Sequence, residues 1–173
     1  MMHIKNLLLK GHSVRIALAI ADYVNQDKMR FKELVELFLH GDYRDTQRAS
    51  LALKYTIRKC PELLPPFRKK IILNLKKKVP SAVKRNSLRI LVEDTIPLPH
   101  MGTLADICFN FLSDNKESIA VKVFSMSILF NIAQYYPELG NELRQILEGN
   151  IHEKSPGYVS RSRKILKELN KNS

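Results

Sequence analysis

The chain has 173 residues, 45% of them apolar and 27% charged, so a domain with a continuous core is within reach and global disorder is excluded. The formal charge is +12 at pH 7 and the pI about 9.8, a positive field that draws nucleic acid, anionic membrane or acidic protein. Cys60 and Cys108 follow no metal or redox spacing, which favours two buried thiols over a disulfide.

Residues 2–10 read as a short opening helix that Gly11 ends, with Ser13 placed to cap the next one. From Val14, apolar residues at 14, 17, 18, 21 and 24 keep helical spacing. Phe31, Leu34, Val35, Phe38 and Leu39 form a second stripe, which stops at Gly41 and completes a helical pair. A second pair carries Ala49, Leu51, Ala52, Leu53 and Ile57, then a break at Cys60-Pro61-Glu62-Leu63, then Phe67, Ile71, Ile72 and Leu75. Pro80 precedes a third pair, with Val83, Leu88, Leu91 and Val92 on one helix and Leu104, Ile107, Cys108, Phe111 and Leu112 on the other. Ile96-Pro97-Leu98-Pro99 separates the two, because neither proline has a backbone N–H to donate. The fourth pair places Val121, Phe124, Ile128, Leu129 and Ile132 before a break at Tyr136-Pro137-Glu138-Leu139, and Leu143, Ile146 and Leu147 after it. Ser155-Pro156 supplies a cap and a first-turn proline for a last helix with Val159, Ile165, Leu166 and Leu169. All six glycines fall at or near the ends of these helices.

The dipeptides Val14-Arg15, Gln47-Arg48, Val83-Lys84, Val121-Lys122 and Val159-Ser160 recur at a period roughly in the high thirties, each opening a helical stripe. Pro-Glu-Leu occurs at 61–63 and again at 137–139, two periods apart, which supports the same register. Val-Arg or Val-Lys at a helix start, a proline-bearing turn and a second amphipathic helix resemble the HEAT/armadillo superfamily over about residues 12–170. The resemblance implies an all-α, right-handed α-α superhelix of about four helical pairs plus terminal helices, in a single domain spanning 1–173. The segment AVKVFSMSILFNIAQYYPEL, followed by ELRQILEGN and SPGYVSRSRKILKEL, is similar to a family of short bacterial HEAT-like proteins of unknown role. Some of these carry an adenylosuccinate lyase label. This chain is far shorter than that lyase superfamily and has neither the Ser-Ser nor the Met-Pro of its mobile loop, so the residues argue against such an activity.

Motifs for chemistry are scarce. There is no glycine-rich phosphate loop and no His-Glu-x-x-His. The histidines at 3, 12, 40, 100 and 152 are isolated in sequence and read as surface or turn residues. Glu93-Asp94 is the one adjacent carboxylate pair, and helical neighbours point about 100° apart, so it reads as a polar helix end. The alkylpurine DNA glycosylases resemble this chain in being basic, helical and repeat-built. They hold their substrate with tryptophans and a catalytic aspartate, whereas this chain has no tryptophan and its aspartates lie mainly at turns (Asp42, Asp45, Asp114) or helix ends (Asp22, Asp27, Asp94). The expectation is therefore a non-enzyme, with no catalytic residue, metal, cofactor or small-molecule substrate. No apolar run approaches about 18 residues, and Met1–Lys10 is too short and interrupted for a signal peptide, so the cytoplasm is the expected location.

Charge supplies the candidate site. Between Leu63 and Val92 there is no acidic residue, while Arg68, Lys69, Lys70, Lys76, Lys77, Lys78, Lys84, Arg85 and Arg89 all fall there. Arg161, Arg163, Lys164 and Lys167 form a second basic group, and the tyrosines at 23, 43, 55, 135, 136 and 158 recur near helix ends as packing residues. In HEAT proteins the second helices line the concave face, so the resemblance implies a belt that wraps from that face around one edge at Lys76–Lys78. The expected role is a binding scaffold whose curved basic surface engages an acidic protein or a nucleic acid. Lysine outnumbers arginine in the belt and few aromatics interleave with it, which leaves the choice between those partners open.

Overall fold

Short polar side chains start several of the helices. The computed structural model describes residues 4–150 and 155–171, which form ten α-helices and no strand. The opening helix, α1, spans Ile4–Leu9; its expected start at residue 2 lies outside the described residues. In α2 (Val14–Val24) the Ile16 N–H donates to Ser13 Oγ at 3.3 Å, as expected of a cap. α3 (Lys28–His40) is capped by Asp27, which accepts from the N–H groups of Met29 at 2.8 Å and Arg30 at 3.0 Å. α4 (Tyr43–Lys59) is capped by Asp42, which accepts from the Asp45 N–H at 2.8 Å. The Arg30 N–H holds the Asp27 carboxyl below its ordinary pKa, and the Asp45 N–H does the same for Asp42. The Asp42 cap also starts α4 at Tyr43, ahead of the Gln47-Arg48 dipeptide that the periodicity marks as its opening.

The two Pro-Glu-Leu sequences fold differently. Pro61–Leu63 is a separate 3-10 turn ahead of α5 (Pro65–Asn74), whereas Pro137 to Leu139 is the first turn of α9 (Pro137–Asn150) itself. The turn at 61–63 cannot propagate into an α-helix because Pro65 has no N–H to return to the Pro61 carbonyl. α6 (Ser81–Val92) follows Pro80. α7 (Leu98–Ser113) begins inside the proline pair, with Pro99 in its first turn, where a missing N–H forfeits no helical bond. α8 spans Ile119–Ala133, and α10 spans Pro156–Leu169, with Ser155 Oγ accepting from the Tyr158 N–H at 3.5 Å.

The chain forms two compact units, residues 1–86 and 87–173. In the first, α4 is the hub. α2 and α3 each pack on it more extensively than on each other, and α5 packs on α3. Phe31, Leu34, Val35 and Phe38 of α3 are buried together with Ala49, Ala52 and Leu53 of α4. The seam of α2 differs from the expected stripe. Ala17, Ile20, Ala21 and Val24 are buried, while Val14 is 50% and Leu18 45% exposed. An i, i+3, i+4, i+7 line from Ala17 meets α4; Leu18 lies off it, and Val14 is exposed as the first residue of the helix.

In the second unit α8 is the hub, with α7, α9 and α10 packed on it. A helix covered by three neighbours buries more than one face, and α8 does so through Val121, Met126, Ile128, Leu129 and Ile132 together with Ser125 and Ser127. Lys122, the basic half of the repeat-marking dipeptide, is itself buried at 2% exposure.

α2 ends at Asn25, whose N–H donates to the Ala21 carbonyl at 2.9 Å while its own backbone stands at φ 44°, ψ −138°. That region favours glycine. Asn25→Gly is expected to raise stability by about 0.5 kcal/mol and Asn25→Val to lower it by about 1 kcal/mol or more, read as shifts of the urea midpoint at constant slope.

Candidate functional site

α5 builds the centre of the basic belt because its two sides differ. Ile71, Ile72, Asn74 and the following Leu75 are buried, and Phe67 is half-buried with its ring edge-on to Phe31 at 5.3 Å and 67°. Lys69, Lys70 and Leu73 are exposed. Past the helix the chain tightens into i→i−3 bonds. The N–H groups of Leu75, Lys76 and Lys77 donate to the carbonyls of Ile72, Leu73 and Asn74 at 3.1, 3.2 and 3.1 Å. Lys76 and Lys77 are thus exposed on a hydrogen-bonded turn continuous with the helix, and Lys78 is exposed just past it.

The belt residues are not equivalent. Arg68 and Lys84 are half-buried and each already holds an interaction; so does Arg89, which belongs to the second unit. Lys70 Nζ is ion-paired with Glu36 of α3, and the same carboxylate lies 3.7 Å from the His40 imidazole. A stretch free of acid in sequence therefore has an acidic neighbour in space, because α3 packs on α5. Lys69, Lys76, Lys77, Lys78 and Arg85 are exposed and have no ion pair among the described residues. In the C-terminal basic group, Arg161 is half-buried and donates from Nε to Ser127 Oγ at 2.9 Å, while Arg163, Lys164 and Lys167 are exposed on α10.

A groove of about 490 Å³ lies against α5, lined by His40, Pro66, Lys69, Lys70, Leu73, Asn74 and Lys77. Asn74 is 3% exposed, and neither its Nδ2 nor its Oδ1 has a hydrogen-bond partner. A buried polar group left in that condition costs about 1–3 kcal/mol. The sequence reading missed Glu36 and Asn74 as members of this surface and took His40 for an isolated turn residue. Asn74 had a legible signal: it stands three residues after Ile71 and seven after Phe67, a polar residue on the apolar line.

Elsewhere several acidic side chains are taken up by ion pairs. Asp45 is buried and lies 3.6 Å from Lys5 Nζ, and Asp22 pairs with Lys59 at 2.6 Å. Asp106, in the middle of α7, is exposed. Among the described residues no three His, Cys, Asp or Glu converge to hold a metal ion, and no helix is long and apolar enough to cross a membrane. His12 is exposed and His100 is half-buried in the first turn of α7; residues 3 and 152 lie outside the described residues. The tyrosines divide: Tyr158 is fully buried, Arg30 lies 4.3 Å over the Tyr23 ring, and Tyr43 and Tyr135 are exposed.

A family model described as a HEAT repeat domain matches residues 4–169. No curated protein and no solved structure matches the chain.

Both thiols are free and buried, and burial pushes the pKa of Cys108 up to about 12. A thiol held protonated inside a core is a poor nucleophile. Iodoacetamide at pH 8 is expected to leave both cysteines unmodified in the native protein and to label both once guanidinium unfolds it, as read by intact-mass spectrometry.

Proposed function

We propose that this chain, which belongs to the HEAT repeat family, is a non-catalytic scaffold that holds an anionic macromolecule on its basic surface. Repeat folds stack helical pairs into one core and leave extended faces for partners. The observation that carries the reading is the set of exposed, unpaired cations on α5 and the turn after it: Lys69, Lys76, Lys77 and Lys78, with Arg85 on α6. One exposed ion pair contributes about 1 kcal/mol at most, so useful affinity requires several at once and hence a partner that repeats its negative charge. Nucleic acid and an acidic protein both meet that requirement.

The rest of the reading follows from the same features. Residues 1–173 act as a single repeat domain, which the run of one family model from residue 4 to 169 supports. The protein needs no cofactor and works in the cytoplasm, where thiols such as Cys60 and Cys108 stay reduced.

Labelled DNA and RNA titrated against the protein at several salt concentrations test this, beside capture of acidic proteins on the immobilised chain. Nucleic-acid affinity is expected to fall with a log–log slope of about −0.9 per phosphate contacted. The variant with Lys76, Lys77 and Lys78 changed to Glu should lose binding to either partner class. Binding unchanged in that variant would remove the belt as the interface. Release of a base from alkylated DNA would overturn the non-catalytic reading.

A further inference from the structure

We infer that the groove between α3 and α5 is a binding site for a single phosphate group. The inference rests on the scaffold reading in one respect: it makes the anionic partner a phosphate-bearing one.

The groove is built from one face of α5 and the end of α3. Pro66, Lys70, Leu73 and Lys77 follow i, i+4, i+7, i+11 spacing and share a line along the helix, with Lys69 beside it. The turn that bonds the Lys77 N–H to the Asn74 carbonyl keeps Lys77 on that line. His40 closes the α3 side. Three ammonium groups thus surround one concavity. Glu36 and the carbonyl ends of α3 and α5, each about half an elementary charge, oppose them but do not cancel them.

Asn74 is the second and independent observation. It lines the groove and is buried, and its amide has an unpartnered donor and an unpartnered acceptor. Every other feature of α5 could serve solubility alone; this one leaves unmet polar atoms beside a cationic cavity. A tetrahedral phosphate presents oxygens in several directions, so it can accept from lysines on successive helical turns together, and a turn of the Asn74 side chain toward the groove would add Nδ2 as a donor. A carboxylate offers only two oxygens in one plane. The groove is larger than a phosphate, which leaves room for the group that carries it.

The test is a titration of the full ¹⁵N-labelled chain with inorganic phosphate, and separately with acetate, at constant ionic strength, followed by NMR. Saturable shifts of the Asn74 side-chain amide are expected with phosphate and not with acetate. Asn74→Ala and Lys77→Ala should each weaken phosphate binding about tenfold, and Glu36→Gln should tighten it. Lys164→Ala on α10 should change nothing. Shifts that never saturate, that acetate reproduces, or that survive in the Lys77→Ala variant would overturn the site. Lys77 is exposed, so that variant decides even if Asn74→Ala fails to fold. Phosphate bound in the groove without any retained macromolecule would sink the scaffold reading and keep the site. A macromolecule retained without phosphate binding would do the reverse.

Discussion

Burial of a single hub helix by its neighbours is the constraint on which each unit depends. α4 is covered by α2 and α3, and α8 by α7, α9 and α10. Apolar burial is worth about 25 cal/mol per Å², and in a molecule with no disulfide and no strand among its described residues this contact surface is what holds the helices in place. The small residues Ala49 and Ala52 let helices approach α4 closely, while Leu53 fills the space between. Once α3 is seated on α4, α5 is positioned by α3 in turn. The exposure of Lys69, Lys70 and Leu73 is a consequence of that order.

Several polar groups inside the hubs are satisfied locally, although Ser125 Oγ of α8 has no partner. Thr56 Oγ1 donates to the Ala52 carbonyl at 2.9 Å, Ser50 Oγ to Gln47 at 2.8 Å and Ser127 Oγ to Val123 at 2.7 Å. A hydroxyl one turn away from a carbonyl can make this bond within its own helix. Asn74 cannot do the same with both of its atoms, since its amide needs an acceptor and a donor at once. It stands at the last turn of α5, beside the groove rather than in a hub.

The charge distribution has the same logic. Lys70 reads as one member of a uniform basic run, yet it spends its charge on Glu36, so the cations free to meet a partner are shifted to Lys69, Arg85 and the turn at Lys76–Lys78. Arg161 of the C-terminal group keeps its charge but commits its Nε to Ser127 Oγ. Both pairings join residues more than thirty positions apart, and the exposed Lys70–Glu36 pair changes availability more than it changes stability.

The sequence by itself determined the helices, their caps at Ser13 and Ser155, the breaks at the prolines and the repeat family, because caps, prolines and helical periodicity act over a few neighbouring residues. The start of α4 at Tyr43 is also legible in the Asp42 cap, four residues ahead of the Gln47-Arg48 dipeptide. Tertiary structure alone decided which side of each helix would be covered. It turned Val14 and Leu18 outward, buried Lys122, set Glu36 beside Lys70, and made a cavity of His40, Asn74 and Lys77. An amphipathic stripe states that a helix has a face to bury. Which neighbour covers it, and which charge that neighbour brings, depends on packing between segments that the chain connects only through its turns.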